Sequence, residues 1–119
     1  LAGLSADDPR VEACVDWIQR HWTLEVNPGF DMLRDPRAGY QGLYYYYLSI
    51  AEALSIAGLD KVRTPSGHAR DWRAELTAQL AELQRADGSW VNEQADRWWE
   101  GNPVLCTAYA LNALERSRQ

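Results

Sequence analysis

The sequence predicts an all-α protein in which two αα-hairpins form an arc of an α/α toroid. Four segments carry apolar residues at helical spacing, at 9–22, 42–57, 72–85 and 103–117. The second and fourth are apolar nearly all round, so they need neighbours on more than one side. Ala53-Leu54 and Ala113-Leu114 stand about 60 residues apart, which indicates an internal repeat. The hairpins are expected at about 8–58 and 71–118.

The first hairpin has clear start and stop signals. Asp8 is a good N-cap, and Pro9 suits the first position of a helix. The stretch 23–41 contains two prolines and two glycines and is predicted to be a long loop. Gly58 is expected to end the second helix in a left-handed conformation.

The second hairpin has similar start signals. Residues 61–70 contain Thr-Pro-Ser-Gly, a turn signal that predicts a short β-ribbon. Asp71 is expected to cap the third helix. After a second loop at 85–101, Asn102 and Pro103 again form a cap followed by proline.

The end of the third helix carries a Gln-x-x-x-Gly-x-Trp pattern. Gly88 follows Asp87 in a strong turn dipeptide and can take a positive φ. The turn is expected to return Trp90 onto the helix that has just ended. The Gln84 amide is expected to bond free backbone groups at that end. The alternative is an ordinary helix end followed by a buried tryptophan.

This segment, Gln84 to Trp90, resembles the QW motif of squalene–hopene and oxidosqualene cyclases. Residues 42–54 and 103–114 resemble the inner helices of the same superfamily, and the resemblance covers about 9–117. It implies the prenyltransferase/squalene-oxidase repeat fold, in which a ring takes more than two hairpins. The chain would then be a C-terminal fragment of a larger terpenoid-cyclase-like protein, with a polyprenyl or triterpene substrate.

A run of tyrosines supplies the candidates for a substrate cavity. On a helix Tyr40, Tyr44 and Tyr47 share one face, whereas Tyr45 and Tyr46 point elsewhere. In the cyclases that the chain resembles, aromatic faces lining the cavity stabilise carbocations through cation–π attraction. The alternative is packing of the inner helix, with each hydroxyl hydrogen-bonded.

The acid that would start a cyclisation is missing from this segment. The cyclases protonate their substrate with an Asp-x-Asp-Asp motif, which does not occur here. Asp7 and Asp8 are interpreted as capping residues. Asp31 and Asp35 lack the spacing of a diphosphate-binding Asp-Asp-x-x-Asp motif. No catalytic residue is therefore assigned, and catalysis by this segment alone is not expected.

The related zinc-dependent prenyltransferases provide a second comparison. Matching their ligand motifs puts Gln41, Leu43 and Cys106 at the positions of Asp, Cys and His. Neutral glutamine and apolar leucine cannot replace anionic ligands of Zn²⁺, so no metal of this kind and no cofactor are expected. His21 and His68 have no partner at ligand spacing and are predicted to be surface residues.

The second loop contains acids beside a Trp-Trp pair. Glu93, Asp96 and Glu100 could bind a sugar or a cation, or could act as the carboxylates of a hydrolase. The favoured interpretation is that ion pairs between Arg97 and these carboxylates brace the crossing of the hairpin.

Composition limits the partners. The net charge of −5 argues against binding nucleic acid or an anionic membrane through bulk electrostatics. No long apolar run predicts a transmembrane helix. Cys14 and Cys106 lack metal or redox spacing and are predicted to be buried. The start at Leu1, without methionine, predicts a piece of a longer protein, and nothing indicates its compartment.

Three functions are compatible with these residues. The first is a terpenoid-cyclase-like repeat domain. The second is a non-catalytic protein-interaction or scaffold module, and the third is a carbohydrate-active (α/α) domain. A two-hairpin arc is also expected to expose an apolar patch that favours self-association or contact with the missing part of the parent chain.

Overall fold

The computed structural model describes residues 3–119 and shows a small, mostly helical domain with a short ribbon. The helices are α1 Pro9–Arg20, α2 Leu43–Ile56, α3 Trp72–Leu83 and α4 Pro103–Ser117. The strands β1 Val62–Arg63 and β2 Ala69–Arg70 pair antiparallel, with Val62 opposite Arg70. Short 3-10 turns lie at Ala38–Tyr40 and Arg97–Trp99. The predicted helical segments and the ribbon are confirmed.

The helix ends follow the local chemistry of the sequence. Asp8, Asp71 and Asn102 each accept a hydrogen bond from a backbone N–H of the first turn, at 2.9, 3.0 and 2.9 Å. Gly58 has φ of 70°, and the following residue donates to the carbonyl of Leu54 at 3.1 Å. This is the Schellman ending of a helix, so α2 stops where glycine permits the left-handed turn.

The core lies around α2 and α4, which pack side by side, with α3 also against α4. The two helices that are apolar nearly all round are thus neighbours of each other. Seven residues of α2 are buried, as expected for a helix that is apolar on most sides. The largest fully buried side chains include Tyr47, Leu54, Trp72, Leu76 and Leu80.

Helix α1 is covered less than its pattern predicts. Ile18 is the buried residue of its apolar stripe, and Trp17 is 41 % exposed. Cys14 is exposed, so its predicted burial is wrong, whereas Cys106 is buried as predicted. The reason is that α1 contacts α2 over a narrow strip: Ile18 is buried, Val11 and Val15 are half-buried, and Cys14 lies outside it.

The turn after α3 brings Trp90 back onto the helix, as the sequence predicts. Gly88 has φ of 90°, and Trp90 is 3 % exposed. The indole N–H of Trp90 donates to the carbonyl of Leu80 at 2.8 Å, and its backbone N–H donates to Thr107 Oγ1 at 3.0 Å. The turn therefore joins the end of α3 to α4.

The role of Gln84 differs from the prediction. Its amide donates to the carbonyl of Gly88 at 2.9 Å, within the turn, and not to the backbone of α3. The carbonyl near the end of α3 is satisfied by the indole of Trp90 instead. Gln84 lies at the end of α3, so its amide reaches the adjacent turn. The carbonyl of Leu80 lies one turn back, and it is reached by the Trp90 ring, which folds over the helix.

Candidate functional site

The start of α2 is capped by a carboxylate from the second loop. Gly42 precedes the helix with φ of 65° and offers no capping side chain. Glu100 fills this role: its Oε1 and Oε2 accept from the backbone N–H groups of Tyr44 and Tyr45, each at 3.0 Å. Glu100 is 1 % exposed. A negative charge stabilises a helix N-terminus, and charge-assisted hydrogen bonds are the strong ones.

Asn92 fixes the loop that carries Glu100. Its Nδ2 donates to Glu100 Oε1 at 3.1 Å and to the carbonyl of Tyr40 at 2.7 Å. Its backbone N–H donates to the carbonyl of Glu100 at 2.9 Å. The loop is therefore tied at both ends and to the turn before α2.

The prediction that Arg97 pairs with carboxylates of the second loop is wrong. Arg97 Nη1 donates to the amide oxygen of Gln41 at 3.0 Å, and its guanidinium lies 4.4 Å from the ring centroid of Trp98. The carboxylate that braces the hairpin is Glu100, and it does so through backbone N–H groups. Glu100 bonds the free N–H groups of α2 in preference to Arg97, because burying those N–H groups without an acceptor would cost more free energy.

Trp98 and Trp99 have strained backbone conformations. Their φ values are 56° and 69°, a region that non-glycine residues rarely adopt. The ring of Trp98 lies over Gly42, where an added Cβ would be 3.2 Å from the ring. Such strain persists only where surrounding contacts enforce it, and it is typical of functional sites.

Trp98 and Gly42 border what we call the aromatic cleft, of about 410 Å³. It is lined by Asn27, Phe30, Gly42, Tyr45, Trp98, Glu100 and Tyr109. Tyr45 and Tyr109 meet edge to face at 5.9 Å between ring centroids, and Phe30 and Trp98 are 6.3 Å apart. The volume falls within the range of small-molecule sites.

Sequence reasoning missed most of this cleft. Tyr45, which is 60 % exposed, was expected to point away from any cavity, and Phe30 carried no signal at all. The Trp-Trp pair was noted, but only as a partner of nearby acids. The position of Tyr45 in the first turn of α2, beside the second loop at 85–101, is a signal that could have indicated its place in the cleft.

The predicted cavity face at Tyr40, Tyr44 and Tyr47 is divided by the backbone. Tyr40 lies in the 3-10 turn, and left-handed Gly42 separates it from α2, so helical spacing does not connect Tyr40 to Tyr44. Both nevertheless line one cleft of about 300 Å³, which we call the polar cleft. Its lining is Glu25, Tyr40, Leu43, Tyr44, Gln79, Leu83, Val91, Asn92, Glu93 and Gln94.

Tyr47 does not line this cleft and is fully buried. Its hydroxyl donates to the carbonyl of Leu24 at 2.5 Å and accepts from Gln79 Nε2 at 3.3 Å. Burial raises the pKa of Tyr47 to about 12, so the phenol is neutral at ordinary pH. A bonded hydroxyl of this kind matches the packing alternative for Tyr47.

The remaining candidates have separate environments. Glu93 and Asp96 border a third cleft of about 420 Å³ that also includes Asp35 and Arg37. Asp31 accepts from backbone N–H groups of its own loop, as capping residues do.

The cysteine and histidines lie apart from the clefts. Burial raises the pKa of Cys106 to about 11, and its Sγ lies 3.1 Å from the carbonyl oxygen of Glu100. His21 and His68 are exposed, which confirms their surface prediction. Within residues 3–119, no three His, Cys, Asp or Glu side chains group as metal ligands would. The same part of the chain contains no helix long and apolar enough to cross a membrane.

Comparisons of the chain with protein-family models, with curated proteins and with solved structures find no match. The resemblance to the cyclase repeats therefore depends on the motifs of the sequence itself.

Proposed function

We propose that the chain is a squalene-cyclase/prenyltransferase-like repeat domain, an arc of a larger α/α toroid from the C-terminal part of a terpenoid-cyclase-like protein. Its aromatic cleft would receive part of a polyprenyl or triterpene chain. The observation that carries this proposal is the group of four rings, Phe30, Tyr45, Trp98 and Tyr109, that line one cleft beside the first turn of α2 and the second turn of α4.

The character of the cleft favours an apolar ligand. Asn27 Nδ2 already donates to the carbonyl of Gln41 at 3.0 Å, and both oxygens of Glu100 accept backbone hydrogen bonds. The polar atoms of the cleft that no described residue bonds include the hydroxyls of Tyr45 and Tyr109 and the indole N–H of Trp98, each at the edge of a large apolar ring. The rings offer π faces to an isoprenoid chain and to any positive charge that develops on it.

The packing of the helices supports an arc. Helix α4 lies against α2, yet it exposes Val104 by 78 % and Leu111 by 55 % on one face. Large apolar side chains on a helix are normally covered by a neighbour. In a toroid the next inner helix would lie against this face.

The domain is proposed to bind and position substrate, not to supply the acid. Asp8 is held as an N-cap and paired to Arg10 at 2.9 Å, and its pKa is lowered by that hydrogen bond. Such a carboxylate is a poor proton donor. The acid would come from another part of the parent protein.

The binding step can be tested with farnesol, a short isoprenoid alcohol, by quenching of tryptophan fluorescence. The Trp98→Ala variant is expected to bind at least tenfold more weakly than the native chain. Trp17→Ala is the matched control, because Trp17 is also partly exposed but lies on α1, stacked on His21 at 4.3 Å. Equal affinity of all three proteins would refute the aromatic cleft as the site.

A non-catalytic scaffold is the second candidate, and the exposed face of α4 favours it. The same face that would receive an inner helix could receive a protein partner. Incubating the parent protein with squalene and with polyprenyl diphosphates separates the two, since product formation rejects the scaffold.

The carbohydrate-active alternative loses one of its three acids. Glu100 is buried with both oxygens engaged, which leaves Glu93 and Asp96 as exposed carboxylates. A glycan-binding screen without hits would count against this alternative.

A further inference from the structure

The polar cleft has a chemistry different from that of the aromatic cleft, and the two share no lining residue. Its most unusual member is Tyr44, which is 2 % exposed. Two other buried tyrosines of α2 donate to backbone carbonyls, Tyr46 to Thr23 at 2.8 Å and Tyr47 to Leu24 at 2.5 Å. The hydroxyl of Tyr44 has no hydrogen-bond partner within residues 3–119. The hydroxyl is not among the fully enclosed unpaired atoms, of which Arg73 Nε is one, so it opens onto the cleft, where a ligand can complete its hydrogen bonds.

The other polar groups of the cleft are mainly acceptors. Gln79 Nε2 donates to the carbonyl of Leu24 at 3.2 Å and to Tyr47 Oη at 3.3 Å, which leaves its Oε1 as a free acceptor. The carboxylates of Glu25 and Glu93 border the same space. Neither forms an ion pair with any of the residues that the structure describes.

The charges around the cleft have one sign. None of its lining residues is basic. Two arginines border neighbouring clefts. Arg37 shares one with Glu93 and donates to the carbonyl of Gln94 at 3.2 Å. Arg70 shares another with Glu25 and is paired with Glu75 at 2.6 Å. A cation entering the polar cleft therefore meets two carboxylates that form no ion pair among the described residues, and the oxygen of Gln79.

The rest of the lining accepts an apolar group. Leu43, Leu83 and Val91 supply aliphatic surface, and Tyr40 supplies an aromatic ring. An ammonium group has three donors and no acceptor, which matches carboxylate and amide oxygens. It is also attracted by the face of an aromatic ring. The volume of about 300 Å³ suits a small ligand with a single ring or short chain.

We propose that the polar cleft is a second binding site that takes a small primary amine in its ammonium form, with an alkyl or aryl group attached. Glu25, Glu93 and the Gln79 oxygen accept from the ammonium group, and the hydroxyl oxygen of Tyr44 is a further acceptor. The apolar wall holds the body. This proposal does not rest on isoprenoid binding in the aromatic cleft.

The test measures binding of benzylamine by calorimetry and by NMR shifts, with two isosteric controls. Benzylamine is expected to bind saturably, with benzyl alcohol at least tenfold weaker and benzoate without detectable binding. Equal binding of the amine and the alcohol would overturn the proposal, because charge would then not select the ligand. So would the absence of saturable benzylamine binding by the native chain.

Variants locate the site. Glu25→Gln and Glu93→Gln are each expected to weaken benzylamine binding about tenfold. Glu82→Gln is the matched control, since Glu82 is an exposed glutamate of α3 that does not line this cleft. Thermal melts confirm that each variant folds. Trp98→Ala is expected to leave amine binding unchanged, which separates this site from the aromatic cleft. Unchanged affinity in both Glu25→Gln and Glu93→Gln would overturn the assignment.

Discussion

Replacing Glu100 with glutamine tests the cap on which the second loop depends. In the native chain both carboxylate oxygens accept from backbone N–H groups at 3.0 Å, and Asn92 donates to Oε1 at 3.1 Å. Glutamine keeps one oxygen, which can still face Tyr44 and Asn92. Its NH₂ group then faces the N–H of Tyr45, donor against donor, and the negative charge at the helix start is lost.

The magnitude follows from these losses. A buried donor left without an acceptor costs about 1–3 kcal/mol. The lost attraction between a charge and a helix N-terminus contributes up to about 2 kcal/mol in a partly buried site. We expect the free energy of unfolding to fall by about 3 kcal/mol. At roughly 4 °C per kcal/mol, the melting temperature falls by roughly 12 °C.

Glu93→Gln provides a control from the same loop. Glu93 is exposed and makes no hydrogen bond among the described residues, so its change is expected to stay within about 0.5 kcal/mol. Circular dichroism during heating and urea titration measures both variants. Hydrogen exchange gives a local readout, since the amides of Tyr44 and Tyr45 should lose protection in Glu100→Gln. A Glu100→Gln melt within about 2 °C of the native chain would refute the capping role.

Three further predictions follow from particular contacts. Gly42→Ala is expected to lower the free energy of unfolding by about 1 kcal/mol more than Gly58→Ala does. Both glycines have positive φ, but only Gly42 lies beneath the ring of Trp98; equal melting temperatures would contradict this. Tyr47→Phe should lower the free energy of unfolding by about 1 kcal/mol, measured by urea titration. Tyr44→Phe should change it by less than about 0.5 kcal/mol, because the Tyr44 hydroxyl has no partner in residues 3–119; the reverse order would be inconsistent with the hydrogen bonds. The pKa of Tyr47, raised to about 12, implies that stability holds below about pH 10, where the unfolded phenol stays protonated, and falls between pH 10 and 12. Burial also raises the pKa of Tyr44 and Tyr46, so Tyr47→Phe should reduce the slope of that fall without removing it, and an unchanged slope would count against the prediction.

The parts of the fold that the sequence predicts are those set by neighbours in the chain. Asp8, Asp71 and Asn102 cap helices that begin within three residues of them, and Gly58 ends a helix by its own conformation. Each signal requires only local chemistry, so it can be interpreted without knowing the tertiary structure.

The start of α2 lies beyond such local signals. Its capping carboxylate, on Glu100, comes 56 positions after Tyr44 in the chain. The left-handed Gly42 that precedes it also breaks the helical face on which the cavity prediction depended. Spacing rules assume one continuous helix, so they placed Tyr40 with Tyr44 for a reason that the backbone does not support.

The aromatic cleft was hidden for a related reason. Trp98 and Trp99 have positive φ, which sequence rules assign to glycine or asparagine. Contacts enforced by the fold decided their backbone, and this also sets where their rings lie. Cys14 shows that burial, too, depends on the fold. It lies among apolar residues at helical spacing, but its burial depends on how much of α1 another element covers.

The second loop connects the two proposed sites through one pair of side chains. Glu100 lines the aromatic cleft, and Asn92, which donates to it, lines the polar cleft and also donates to the carbonyl of Tyr40. Loss of the Glu100 cap should therefore disturb both walls at once.

This coupling distinguishes a shared support from two unrelated pockets. Glu100→Gln is expected to weaken farnesol and benzylamine together, at a temperature where the variant is still folded. Trp98→Ala should affect farnesol alone, and Glu93→Gln benzylamine alone. If Glu100→Gln weakened only one ligand, the loop would not hold both walls, and the two hairpins would be joined there by packing rather than by the carboxylate.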